Sequence, residues 1–357
     1  MNPLHPSQPA PLLTIAVPTY NRSASLRRSL GALVSQIAEV PDGWKIIELM
    51  VSDNCSTDDT PEVIESFKIE APLLHRRNAQ NLGMEGNLIA CFEHARGIHV
   101  WTFSDDDLLI DGALARIMQL LATRPVDLIY LPAQYLYGEL DTFPSKAVDF
   151  RLSAVSDEEF ALRANGVLSF LSSVIVNKQR YIALRQSPDL RRYQGTFLAH
   201  YAWIYTLLAY GQSFYICTRP VICARTGATG GYDLFSVFGE HYVRIGKETL
   251  AHKPRIRRIL EQAMLYIHIP GFIARCRENS FGKFQYAPER VARQILDSYG
   301  ASAFYCLVIR TQIFAGNAGS ARAFRASRIL ATIWSLSTRL LCRTRTAVRL
   351  TAMKGKT

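Results

Sequence analysis

Three apolar, β-rich runs in the first third of the chain each stop at a polar loop and hand over to a helical pattern. Leu12-Leu13-Thr14-Ile15-Ala16-Val17 breaks at Pro18-Thr19-Tyr20-Asn21, and Ile46-Ile47-Glu48-Leu49-Met50-Val51 runs into Ser52-Asp53-Asn54-Cys55-Ser56-Thr57-Asp58-Asp59-Thr60. Ile98-His99-Val100-Trp101-Thr102-Phe103 ends in Ser104 and three consecutive carboxylates, Asp105, Asp106 and Asp107. Strands that alternate with helices imply a mainly parallel sheet between helices, an α/β fold. Ligands of such sheets bind outside the carboxyl ends of the strands, so Asp53 and Asp105, 52 positions apart, are expected to converge. Three adjacent aspartates repel one another, and a stable fold must neutralise them with a cation or with donors that prefer charge.

At 357 residues, 48% hydrophobic and 20% charged, the chain is long and apolar enough for one large domain with an appendage, or for two domains. Residues 1–11 hold four prolines, three of them among the first nine residues, and no Lys or Arg, unlike a signal peptide, and read as a flexible segment. Seven cysteines, an odd number with no C-x-x-C pair, suggest a reduced, cytoplasmic setting. The charge-free run Tyr193–Thr218 contains Gln194, His200, Gly211 and Gln212, so a buried helix followed by a strand explains it better than a membrane span.

The charge is uneven. No Asp or Glu follows Asp297, and the ten Lys and Arg beyond it nearly equal the whole net charge of +11. Residues 324–350 interleave these arginines with Ile329, Leu330, Ile333, Trp334, Leu336, Leu340, Leu341, Val348 and Leu350. A basic amphipathic helix of this kind suits an anionic membrane surface, here the cytoplasmic face of an inner membrane; the plainer alternative is a surface helix packing its apolar face on the domain. Because the excess sits at one end and no recognised nucleic-acid module accompanies it, nucleic acid is not expected as a partner.

Ser23–Ile37, with Leu26, Leu30, Leu33, Val34 and Ile37 at helical spacing, is a core-facing helix whose first turn can favour an anion. Thr57 or Asp58 is expected to start the next helix, with Thr57, Asp58 and Thr60 as caps. Asp53 comes directly off its strand and before those caps, where a carboxylate can accept from a nucleobase imide or a ribose hydroxyl. A short strand, Leu73-Leu74-His75, precedes Arg76, Arg77 and the turn Asn81-Leu82-Gly83; Arg77 reads as a solvated charge. Of the triple aspartate, one acid can serve ribose hydroxyls, another a divalent ion shared with two phosphates, and the third the loop; Mg²⁺ and Mn²⁺ prefer that arrangement. Asp111, before Gly112, reads as a helix cap.

On Val17-Pro18-Thr19-Tyr20-Asn21-Arg22, Val51–Thr60, Asn81-Leu82-Gly83 and Phe103-Ser104-Asp105-Asp106-Asp107, in this order and spacing, the chain resembles the inverting family-2 glycosyltransferases of the GT-A fold, of the bacterial surface-polysaccharide type. The resemblance is firm over 12–131 and thin beyond 225. It implies donor binding by Pro18, Thr19, Tyr20, Asn21, Asp53, Arg76, Asn81, Asp105 and Asp106, with Asp105 facing the ribose. It also implies that Asp107 holds Mg²⁺ or Mn²⁺. Asn54 departs from the second Asp of many members. The implied organisation is a catalytic domain over 12–235, with a nucleotide half 12–131 and an acceptor half 132–235, then a helical basic region 236–357. The family's usual acidic base maps onto His200, a chemically reasonable replacement near its ordinary pKa, with Asp189 or Glu158-Glu159 as substitutes.

The expected reaction is a single displacement from a nucleotide sugar, hexosyl or deoxyhexosyl, to a hydroxyl of a lipid-linked glycan, as in O-antigen or capsule assembly. The loop Thr226–Tyr232 is a candidate lid or a simple connector. The competing readings are a catalytically silent nucleotide-sugar-binding or membrane-docking module, and a nucleotidyltransferase. The last lacks its lysine-bearing Gly-rich loop after the first strand.

Overall fold

The computed structural model describes residues 9–136, 149–184, 189–225, 233–278 and 286–354, the last twelve of these as backbone only. The Thr226–Tyr232 loop and residues 1–8 of the N-terminal segment lie outside the described residues. The chain divides into two compact units: Met1–Ser153 with Phe170–Arg191 and Tyr215–Thr226, and Ala154–Ser169 with Arg192–Phe214 and Gly227–Thr357. These units draw on interleaved segments, whereas the sequence suggested consecutive ones; stretch 132–235 is shared between both, and His200 belongs to the second unit.

Eleven strands lie among the described residues: β1 (Leu13–Thr19), β2 (Ile47–Asp53), β3 (Leu74–Arg77), β4 (His99–Thr102), β5 (Leu108–Leu109), β6 (Leu128–Tyr130), β7 (Ala133–Leu136), β8 (Leu152–Val155), β9 (Val174–Asn177), β10 (Phe214–Cys217) and β11 (Ile222–Arg225). The main sheet has the order β3-β2-β1-β4-β9-β6-β10-β8, and β5-β11-β7 form a small second sheet. β3, β2, β1 and β4 are parallel, and β9 runs antiparallel to β4 and β6. In β8 and β10 the chain passes from one unit to the other.

β1 and β2 are buried almost throughout because helices cover both faces of a parallel sheet. Leu13, Ile15 and Val17 share one core cluster with Leu26, Leu30, Leu33 and Ile37 of the helix Ser23–Glu39. That helix also caps its neighbour: Gln36 Oε1 accepts the Leu114 amide at 3.2 Å, while its Nε2 donates to the Leu109 carbonyl at 2.9 Å. The helix Ala113–Thr123 therefore starts after Gly112, in the left-handed region at φ 72°, and not on an Asp111 cap. Gln36, 77 residues upstream of Ala113, supplies what a local carboxylate was expected to supply.

The second unit is helical. The charge-free run folds as the buried helix Tyr201–Tyr210 and leads into β10. Tyr201, Tyr205 and Tyr242 pack edge to face. The basic segment lies within one helix, Asn317–Lys354. Among the described residues no helix is long and apolar enough to cross a membrane.

Candidate functional site

Parallel register aligns the strand ends: Thr19 lies opposite Asp53, and Asp53 opposite Arg77. Residues in register on parallel strands project to the same side, so these three side chains form a row across the carboxyl end of the sheet. Asp53 is fully buried. Its Oδ1 accepts the Ser56 amide at 2.9 Å, its Oδ2 has no hydrogen-bond partner, and Arg77 Nε stands 3.6 Å from that oxygen. A buried carboxylate oxygen without a donor is costly and is normally satisfied by something. Arg77 also donates to the Ser56 carbonyl at 2.8 Å, which fixes its guanidinium beside the loop. Arg76 faces the other side of the strand and donates to Asn78, so the guanidinium next to Asp53 is that of Arg77. Strand alternation carries this distinction, and it depends on the β2–β3 register.

The first loop is held by the second. Asn21, at φ 52°, accepts the Thr57 amide at 2.8 Å on its Oδ1 and donates its own amide to Ser56 Oγ at 2.9 Å. Asn tolerates the left-handed region, and here it locks two strand ends together. The Ser23 amide, at the start of the first helix, donates to Asp58 Oδ2 at 3.1 Å, and the Arg22 amide to Thr60 Oγ1 at 3.1 Å. That helix end, which we expected to attract an anion, is thus already satisfied by the neighbouring loop. Asp58 also takes the Thr60 amide at 3.0 Å, but the helix Thr60–Glu70 starts after Asp59 with no side-chain cap, later than the Thr57 or Asp58 start read from sequence; Tyr20 is exposed at the rim.

Asn54 and Asn81 belong to a network of amides. Asn54 Nδ2 donates to Asn81 Oδ1 at 2.7 Å and to the Gly83 carbonyl at 3.2 Å, and its Oδ1 accepts from Leu82 N at 2.9 Å and from Asn78 at 3.0 Å. Asn81 Oδ1 also accepts the Gly83 amide at 2.8 Å. Both side chains hold the turn that follows β3. An aspartate at 54 could not donate to Asn81 and Gly83, so the departure at this position is matched by its surroundings.

The three aspartates divide as expected of like charges forced together. Asp105 is buried and accepts from Thr19 Oγ1 at 2.6 Å; burial pushes its carboxyl up to about 6, against the pull of Thr19 and Arg22. Asp106 is clamped by Arg22 and by Ser104 Oγ at 2.6 Å, and it holds the loop. Arg22 reaches Asp105 as well, at 3.6 Å. Asp107 is buried and accepts from Ser172 Oγ at 2.6 Å, and the same oxygen of Ser172 accepts the Ser104 amide at 2.8 Å. Arg22, Arg77 and Ser172 are the site residues that reading by sequence missed. Arg22 adjoins Asn21 and Arg77 is set by register, but Ser172, 65 positions from Asp107, carries no sequence signal.

A divalent cation fits this donor set in one way. Among the described residues no group of three or more His, Cys, Asp or Glu side chains encloses a metal. Mg²⁺ or Mn²⁺ held by one or two carboxylates and completed by diphosphate oxygens needs no such group, and Asp107, held by Ser172 in the turn between β4 and β5, is the carboxylate such an ion would use.

Residues 14–171 match the glycosyl transferase family 2 model. Over that stretch the chain carries the family 2 glycosyltransferase domain. It is 27% identical over 280 residues to the abequosyltransferase RfbV of Salmonella typhimurium, covering 71% of this chain and 80% of that one. It is 32% identical over 111 residues to the GalNAc(5)-diNAcBac-PP-undecaprenol beta-1,3-glucosyltransferase of Campylobacter jejuni, covering 30% and 34% respectively, so that alignment spans about a third of the relative. Crystal structures of S. aureus TarS 1–349 share the fold: the complex with UDP-GlcNAc has a TM-score of 0.52 at 16% identity, covering 88% of this chain and 90% of that one. The complex with UDP has a TM-score of 0.54, also at 16% identity, covering 88% and 89%. The mixed, mainly parallel sheet with a helical C-terminal region is the GT-A arrangement.

His200 differs from its expected state. It lies at the start of the Tyr201–Tyr210 helix, buried, with its ring against Tyr201 at 4.9 Å. Burial lowers its pKa to about 4, opposed by a hydrogen bond with the Leu168 backbone, and its Nε2 has no hydrogen-bond partner. The ordinary pKa assumed for it therefore does not hold. Of the substitutes, Glu159 is paired with Arg163 at 2.7 Å, Glu158 has Arg255 at 3.9 Å, and Asp189 is exposed and accepts the Arg191 amide at 3.0 Å.

Proposed function

We propose that the strand ends bind a nucleotide-diphosphate sugar and that the chain transfers its sugar, with inversion, to a hydroxyl of a lipid-linked glycan in bacterial surface-polysaccharide assembly. The carrying observation is the Oδ2 of the fully buried Asp53, which has no hydrogen-bond partner and only Arg77 Nε at 3.6 Å, in a row with Thr19, itself the donor to Asp105. A nucleobase imide or ribose hydroxyl supplies the donor that Asp53 lacks, and a ribose hydroxyl donates to Asp105. Pro18, Thr19, Tyr20, Asn21, Arg76, Asn81 and Asp106 are proposed around the donor: Asn21, Asn81 and Asp106 by holding the loops, Arg76 through Asn78. The RfbV relative favours a hexosyl or deoxyhexosyl donor, and the name of the Campylobacter enzyme favours a polyprenyl-diphosphate acceptor.

Asp107 would hold the divalent cation, kept in place by Ser172. When bound, the cation supplies charge for the departing diphosphate. The acceptor proton is assigned to His200 in its neutral form, whose Nε2 is unpaired; a base whose pKa is about 4 is weak, and this keeps the catalytically silent reading as the alternative.

Titration calorimetry of the protein with UDP-, GDP-, CDP- and dTDP-sugars, with and without Mn²⁺ and with Asp107→Ala as control, tests the donor site. Metal-dependent binding of one donor class, lost in the variant, supports it. Absence of binding to every donor sinks it, and binding without transfer to glycolipid acceptors favours the silent module.

A further inference from the structure

The helix Asn317–Lys354 packs with its small side chains and turns its large ones outward. Ala323, Ser327 and Ala331, at a spacing of four, are buried. Trp334 on the same side donates Nε1 to Gln262 Oε1 at 3.1 Å and meets Tyr266 edge-on at 5.7 Å. On the opposite side Ile329, Ile333, Leu336 and Leu340 follow a 4-3-4 spacing and are 62%, 56%, 60% and 66% exposed, with Leu330 on their flank. The plainer sequence reading, an apolar face packed on the domain, is the reverse of this arrangement. A continuous stripe of large apolar side chains in water marks an interaction surface.

Charge selects the occupant. Arg322, Arg325, Arg328 and Arg339 are exposed on the same helix, and no carboxylate follows Asp297 to balance them. A second copy of this chain meeting the stripe about a two-fold axis would set arginine against arginine. A surface with apolar depth and negative charge meets both requirements. We propose that the face bearing Ile329, Ile333, Leu336 and Leu340 lies in the plane of an anionic lipid bilayer, with its apolar side chains in the acyl boundary and its arginines among the headgroups. The helix does not span. This placement rests on the glycolipid-acceptor reading only for its purpose, and vesicle binding and sugar transfer can fail separately.

The test is co-sedimentation of the full chain with vesicles of phosphatidylcholine alone or mixed with phosphatidylglycerol. The expected result is salt-sensitive binding to the mixed vesicles and little to the neutral ones. Each arginine near the surface contributes roughly fivefold, so replacing Arg322, Arg325, Arg328 and Arg339 by Gln should weaken binding by at least about 100-fold. The triple variant Ile329→Ser, Ile333→Ser, Leu336→Ser should abolish it while circular dichroism and donor binding stay unchanged. Equal binding to neutral vesicles, or a triple variant that binds as well as the parent, overturns the proposal. So does failure to bind vesicles together with a dimer in light scattering that the triple variant dissociates, which assigns the face to a second copy.

Discussion

Replacing Ser172 with alanine removes one hydroxyl that serves two groups in opposite senses. It donates to Asp107 Oδ2 at 2.6 Å and accepts the Ser104 amide at 2.8 Å, and Ser172 itself is fully buried. A hydrogen bond to a carboxylate contributes about 1.5–3 kcal/mol, and an amide left without its acceptor costs about 1–3 kcal/mol; the two share one atom, so about 3 kcal/mol is expected for the pair. That is roughly a 100-fold rise in local opening. Native-state hydrogen exchange on peptides covering Phe103–Asp107 reads it directly, because opening of this turn exposes those amides. Peptides from the Tyr201–Tyr210 helix, in the other unit, serve as the internal control. Metal-dependent donor affinity should fall by about 10- to 100-fold as Asp107 loses its fixed orientation. An exchange change under about threefold, or one equal in both units, would refute the idea that Ser172 locally holds the third aspartate.

The remaining predictions concern charge. Arg77→Ala should weaken nucleotide binding by about tenfold and Arg76→Ala by much less, since only Arg77 stands beside Asp53 Oδ2; calorimetry with the preferred nucleotide ranks them. Burial raises the Asp105 carboxyl to about 6, above its ordinary 3.8. The protonated form is thus favoured by folding, and Asp105 contributes stability that is present in full below about 3.8 and lost as pH rises through about 6. Asp105→Asn should remove this loss, so that the melting difference between variant and parent grows from pH 4 to 7; a constant difference contradicts the assignment. Donor affinity of the parent should also fall as pH drops below about 6, where the acceptor for the ribose is protonated. If His200 takes the acceptor proton, kcat should decline at a pH near 4 and not near 6.5, and His200→Gln should lower kcat by about 10²–10⁴. A near-parental kcat in that variant assigns the proton to another group.

The legible parts of this site are those in which chemistry and position are local. Asp53 is placed by the end of β2, and the triple aspartate by the end of β4, because an apolar run that stops at carboxylates can hardly stop elsewhere. How the carboxylates differ is set by partners that arrive across the sequence. Arg22 comes from the loop after β1 and Ser172 from the turn before β9, just as Gln36, near the end of its own helix, caps the Ala113–Thr123 helix from afar. Register chooses Arg77 over Arg76: a shift of one residue between β2 and β3 would exchange them, and nothing in Arg76-Arg77 itself reports that register. His200 shows the same limit in electrostatics. A histidine at a helix start among Tyr, Ala and Trp can be a solvated base or a sealed one, and the ring of Tyr201 with its neighbours Tyr205 and Tyr242 decides for the second. For the C-terminal helix the periodicity was visible, yet its direction was not. Which stripe packs depends on how closely the partner helices approach, and Ala323, Ser327 and Ala331 permit an approach that Ile329, Ile333 and Leu336 would forbid. The larger side chains were thereby left outside, on the same helix as the arginines from which the lipid-surface proposal is argued.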